Sequence, residues 1–200
     1  MKSEYIQSEA LRVLINSMHY ENGVALLVSL ETGMRIGDVL KMRRKDIKGN
    51  VVHYVAEKTG KAGTAELSPE LLKKIKSVWG KTYVFEGQRH NAHRTRQAVY
   101  LDIKRVCKEY GVDGQISPHS ARKSFSVDDF RENGLDAVKE HLQHSSTAVT
   151  MLYALADKLP TGDSDIESTG NIAQEMPLIF AHLAEIERKL DWIIDKILQM

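Results

Sequence analysis

Cysteine is almost absent from this 200-residue chain: Cys107 stands alone, which excludes an internal disulfide and any zinc site built on cysteine. No apolar run approaches the roughly 18–20 residues needed to cross a bilayer, and the opening MKSEYIQSEA lacks the apolar centre of a signal peptide. No segment fits the G-x-x-x-x-G-K-[ST] phosphate loop, so nucleotide hydrolysis on that motif is excluded as well. A reducing, cytoplasmic setting without a membrane partner is the expectation.

What is present is an ordinary globular composition, 42% hydrophobic and 28% charged, with enough length for one full domain and an appendage. The net charge of +1 conceals an asymmetry, because residues 161–200 carry eight Asp/Glu against three Lys/Arg. The body before them is therefore basic. That balance fits an anionic partner, or simply an uneven solvated surface.

Leu11, Leu14, Ile15 and Met18 recur at helical spacing behind Ser8, a candidate N-cap. The apolar helix VALLVSLET should end at Gly33, which tolerates a left-handed conformation, and a short helix over Ile36–Met42 follows. VVHYVAE reads as a strand, KTGKAGT as a turn and TAEL as the returning strand, so 51–67 forms a hairpin. Ser68-Pro69 opens a helix that closes at Gly80, and TYVF adds a third short strand. The basic loop QRHNAHRTRQ leads into a helix stopping at Gly111. Ser117-Pro118 starts another that runs to Asn133-Gly134, with two more near Leu135–Gln143 and Thr147–Ala156. The expectation is an α+β fold, mainly helical, around a small antiparallel sheet over residues 1–160.

LPTGDSDIESTGN is poor in apolar residues and reads as a linker, residues 161–171. Beyond it Ile172, Met176, Ile179, Leu183, Ile186, Leu190, Ile193, Ile197 and Met200 keep a 4-3-4-3 spacing, the seam of a C-terminal coiled-coil helix over 172–200. Leu at a and Ile at d leans toward four strands. An amphipathic helix docking on its own body fits the same pattern.

Singly, the chemically interesting side chains are weak signals. Arg35 behind Gly33 and Lys58 in a hairpin turn suit a surface, His119 and Arg122 stand one helical turn apart, and Tyr153 lies among apolar neighbours. Their order says more. ETGMRIGDVLKMRRKDI resembles the first conserved box of the tyrosine recombinases, or phage integrases: a helix end, a glycine, Arg35, then an acidic residue, Asp38. AEKTGKAG looks like the hairpin turn that bears that family's lysine, here Lys58. SPHSARKSF carries a His-x-x-Arg, His119 and Arg122, just inside a helix start. EHLQHSSTAVTMLYAL is similar to the last box, with His144 nine residues before Tyr153.

That resemblance covers about residues 8–158. It implies the family's catalytic domain, and an enzyme that cleaves and rejoins double-stranded DNA at a recombination site through a 3′-phosphotyrosine on Tyr153, as a homotetramer on DNA. Arg35 and Arg122 offer fixed forks of donors to the non-bridging oxygens of a phosphodiester. His144 adds another donor, and a crowded phosphorane-like state needs all of them. A phenol of pKa near 10 must attack as something close to phenolate, which two arginines favour. The resemblance makes His119 the acceptor of the phenolic proton and Lys58 the acid for the leaving 5′-oxygen. The covalent link stores the bond energy, so no cofactor, metal or small-molecule substrate is expected. Contacts to the DNA backbone are expected from Arg43, Arg44 and Lys45, and from Arg89, His93, Arg94 and Arg96.

The chain departs from the family pattern in three places. Gln143 replaces the usual glycine before His144, Lys123 follows the second arginine where another residue is more common, and only a few residues precede the body where most members carry a helical N-terminal domain. His141 and His144 stand one turn apart as zinc ligands do, but no third ligand lies near them in sequence. Two other readings share the motifs: strand nicking and resealing as in a type IB topoisomerase, and a non-cleaving DNA-binding regulator of the same fold.

Overall fold

The computed structural model describes residues 3–89 and 91–142, with side chains up to residue 133. The expectations for Gln143, His144, Tyr153, the linker and the heptad helix fall outside the described residues.

Helix α1 (Ser8–Asn16) turns Leu11, Leu14 and Ile15 inward. Ser8 is not its cap. Gln7 holds that place, and the Ser8 hydroxyl instead donates to the Asp128 carboxylate. Helix α2 (Tyr20–Thr32) buries ten of its thirteen residues, so it is the central helix rather than a surface one. It ends where its sequence says, at Gly33, whose φ of 67° is left-handed and whose N–H reaches Ser29 O at 3.0 Å.

Helix α3 (Ile36–Leu40) is shorter than expected and gives way to a 3-10 turn, Arg44–Asp46. Three antiparallel strands follow in the order β1 (Ile47–Lys48), β2 (Val51–Val55) and β3 (Ala62–Glu66). Val52 pairs with Ile47 on one side and Ala65 on the other. The expected hairpin is there, whereas β1 is too short to leave a period in the sequence. TYVF is not a strand. Val84 and Phe85 are buried plugs, and the Val84 N–H makes a single bond to Met42 O at 2.9 Å.

Helix α4 (Pro69–Ser77) begins on the Ser68 hydroxyl, which accepts from Leu71 N–H at 3.1 Å. It stops before Gly80, which serves the next turn instead: a Cβ there would lie 2.2 Å from Glu86 Cγ. Helix α5 (Arg96–Glu109) is capped by Thr95, which accepts from Ala98 N–H at 3.1 Å. Helix α6 (Pro118–Leu142) runs on through Asn133-Gly134, where a break is expected from sequence. Asn133 is held inside the helix by donating to Asp129 Oδ1 one turn back, at 2.9 Å.

Helix α2 packs against α1, α3, α4, α5 and α6. Leu11, Leu26, Met34, Leu40, Leu71, Ile75 and Ile103 close the core around it without exposed surface beyond 2%, each contributing about 1.5–3 kcal/mol by burial. The segment before α1 lies along α6, through Lys123 Nζ to Ser3 O and the Ser124 hydroxyl to Ile6 O. Lys123, unusual by family pattern, thus has a structural use. No helix among the described residues is long and apolar enough to cross a membrane.

Candidate active site

The left-handed turn at Gly33 does two things at once. It ends α2 so that Arg35 stands at the N-cap of α3, and it aims its carbonyl at Arg122, whose Nη1 donates to it. Arg122 sits in the second turn of α6 and is 4% exposed. Both arginines line one cleft of about 370 Å³, together with Lys58, Arg96, His119 and Glu57. Burial first, and then the neighbouring Arg35, push Arg122 down to about 10, against the opposing pull of Tyr54 and Asp38. It is still cationic at neutral pH. A cleft that holds like charges under mutual strain is set up to receive an anion.

Lys58 comes from the turn between β2 and β3. That turn closes with the Ala56 N–H on Lys61 O at 2.9 Å and the Gly60 N–H on Ala56 O at 2.8 Å. Lys58 is exposed. Beside it the buried Asp38 accepts from the Glu57 N–H at 3.0 Å through Oδ1, while Oδ2 has no hydrogen-bond partner among the described residues. His119 opens toward the cleft from the first turn of α6. Crowding by protein atoms, then Lys123, Arg122, Arg35 and Lys58, lower its pKa, so the neutral ring is favoured. Tyr54 on β2 is raised above the ordinary phenol by burial, with Arg122 pulling the other way.

The expected backbone contacts fall in two joined groups. The guanidinium of Arg43 lies 5.2 Å from the Tyr83 ring centroid, and the edge of His93 meets the same ring at 5.4 Å. Arg44 covers Trp79 at 4.8 Å, and Lys45 and Arg89 are exposed. Arg94 is spent on α2, through Asn22 Oδ1 at 3.0 Å and Glu21 at 3.8 Å. Arg96 lies in the cleft itself.

Of the six residues expected to act in strand cleavage, Arg35, Lys58, His119 and Arg122 meet in one cleft; His144 and Tyr153 lie outside the described residues. The sequence motifs mark Arg96 as a contact to the DNA backbone, and mark neither Glu57 nor Tyr54. Tyr54 is two residues from the core residue Val52, so strand alternation carries a signal for it. Nothing local in the sequence places Arg96 in the cleft, which it reaches by tertiary packing.

Residues 4–159 match the phage integrase family. Tyrosine recombinase XerD of Listeria innocua is 28% identical over 149 residues, 66% of this chain and 49% of that protein. XerD of Halalkalibacterium halodurans is 26% identical over 172 residues, 75% and 56% of the two chains. This chain thus spans about half the length of the curated relatives it matches. Among solved structures, a lambda integrase dimer bound to a COC′ core site gives a TM-score of 0.67 at 16% identity, over 84% of this chain and 52% of that one. XerH site-specific recombinase bound to difH substrate in a pre-cleavage complex gives 0.64 at 17%, over 78% and 52%. The integrase-like fold is shared, and the chain belongs to the phage integrase family.

Proposed function

We propose that this chain is the catalytic part of a site-specific recombinase that cleaves and rejoins DNA through a 3′-phosphotyrosine at Tyr153. The supporting observation is the meeting of Arg35, Lys58, His119 and Arg122, from three separate stretches of sequence, in one cleft. Arg35 and Arg122 grip the non-bridging phosphate oxygens with His144, and their charge lowers the cost of the phenolate. His119, kept neutral, takes the phenolic proton. Lys58 gives a proton to the 5′-oxygen as the phosphorus–oxygen bond breaks. Rejoining reverses these steps, with the 5′-hydroxyl attacking the phosphotyrosine. Arg43, Arg44, Lys45, Arg89 and His93 serve backbone contacts around the cleft.

Covalent trapping tests this reading. Nicked duplexes of random sequence are incubated with the wild-type chain and with Tyr153→Phe, and covalent complexes are recovered on a denaturing gel. A protein–DNA band from the wild type alone is expected. A band from both proteins, or from neither despite binding, would overturn it.

The division into a catalytic body (1–160), a linker (161–171) and a heptad helix (172–200) that holds four protomers together on DNA belongs to the same proposal. It rests on the Leu/Ile seam in the sequence. Sedimentation of the full chain against residues 1–160 should give a larger mass for the full chain, and equal masses would remove the helix from assembly.

A further inference from the structure

Glu57 ties the turn that carries Lys58 to α3 and to Lys41, the residue that caps its end. Its N–H donates to Asp38 Oδ1 at 3.0 Å, and its Oε1 lies 2.7 Å from Lys41 Nζ. Its Oε2 lies 3.6 Å from where a Cβ on Gly37 would stand. Gly37, Asp38 and Lys41 occur at i, i+1 and i+4, so Glu57 grips the body and the C-terminal end of one short helix. Lys58 itself is exposed on a hairpin tip, and such tips are among the loosest parts of a fold unless something ties them down.

A carboxylate at this place calls for a reason. Beside a cleft that gathers Arg35, Lys58, Arg96 and Arg122, a negative charge weakens the hold on any anion. Lys41 above all, then Arg96 and His93, hold the Glu57 carboxyl below the usual carboxylate range, so the charge is kept at working pH. A role in placing the turn accounts for it.

We infer that Glu57 is a positioning residue: by bridging the turn to Asp38 and Lys41, it fixes the backbone from which Lys58 reaches the leaving oxygen. This rests on the reading of Lys58 as the acid. The Glu57–Lys41 pair is exposed, 53% and 45% for the two side chains, so its loss should weaken placement by about two- to fivefold in rate and no more.

The test compares two leaving groups on a duplex recovered by covalent trapping. One carries the ordinary 5′-oxygen at the cut and the other a bridging 5′-sulfur, which departs without a proton. Single-turnover cleavage is measured for the full chain as wild type, Glu57→Gln, Lys41→Met and Lys58→Ala, with binding followed by mobility shift. At saturating protein, where any change in binding drops out, Glu57→Gln and Lys41→Met should each slow cleavage of the oxygen ester about two- to fivefold and cut the sulfur ester at the wild-type rate. Equal slowing on both esters, or none on either, would overturn the inference. So would opposite effects of the two substitutions, which change net charge in opposite directions and would then be acting through the field alone. Lys58→Ala should lose about a hundredfold or more on oxygen and recover on sulfur. If it does not recover, the reading of Lys58 falls and this inference with it; if it recovers while Glu57→Gln does not, only the positioning role is lost.

Discussion

At the scale of single residues, Arg122 carries structure and, in the proposed reaction, chemistry as well. Its fork binds the Gly33 carbonyl from a position 4% exposed. Lysine keeps the charge but not the fork, so Arg122→Lys should slow strand cleavage by a hundredfold or more, about 2.7 kcal/mol or above. DNA binding by mobility shift should change only a few-fold. Equal losses in binding and cleavage would assign Arg122 to affinity instead. His119 gives a pH prediction. Its pKa in the fold lies below the ordinary 6.5, so the base form persists as the solution turns mildly acidic. On single-turnover profiles of cleavage under limiting protein, the acidic limb should therefore fall below pH 6.5, and a limb at or above 6.5 contradicts it. The same shift bears on stability. Below pH 6.5 the unfolded chain takes up the proton first, so this residue's effect is to lose stability as pH falls through that window, never to gain it.

At the scale of elements, α2 and α5 are joined at a polar node. Asp102, 5% exposed, accepts from the His19 N–H and ring, from Asn22 and from Arg105. Burial alone raises its pKa, but the bonds from Asn22, Arg105 and His19 together win and hold it below the usual carboxylate value. Its contribution is present above the unfolded carboxyl pKa and is lost as pH falls through the lower folded one. Asp102→Ala leaves these donors unanswered and should cost about 2–4 kcal/mol, read from urea unfolding at pH 7; a loss under 0.5 kcal/mol would make the node incidental. Tyr83 plays a comparable part on the surface, joining Arg43 to His93 across 40 and 10 residues of sequence. Tyr83→Leu should weaken binding to any duplex and reduce the salt slope by roughly 0.9, the share of one phosphate contact, while Tyr83→Phe keeps both.

These elements also show what can be read in a sequence. Gly33, Ser68-Pro69 and the 51–67 hairpin obey local rules, and each stands where those rules put it. Ser8 fails as a cap because its hydroxyl finds Asp128, 120 residues away. Asn133-Gly134 fails as a stop because Asn133 is satisfied within the helix, and TYVF fails as a strand because Val84 and Phe85 are claimed by the core. The candidate site divides along the same line. Arg35, Lys58, His119 and Arg122 sit in recognisable boxes, while Arg96 takes its place in the cleft through packing that leaves no spacing to read.

For the molecule as a whole, the central feature is that one helix organises both core and cleft. Because α2 meets α1, α3, α4, α5 and α6, loss of cleavage in urea should coincide with global unfolding. Inactivation well before unfolding would show that the cleft opens by itself. The bond from Gly33 to Arg122 has a further meaning. The second arginine is brought to the cleft only once residues 33 and 122, the end of one helix and the start of another, have docked. Until then the two arginines do not share a cleft, so a half-folded copy lacks the cluster on which the proposed chemistry depends.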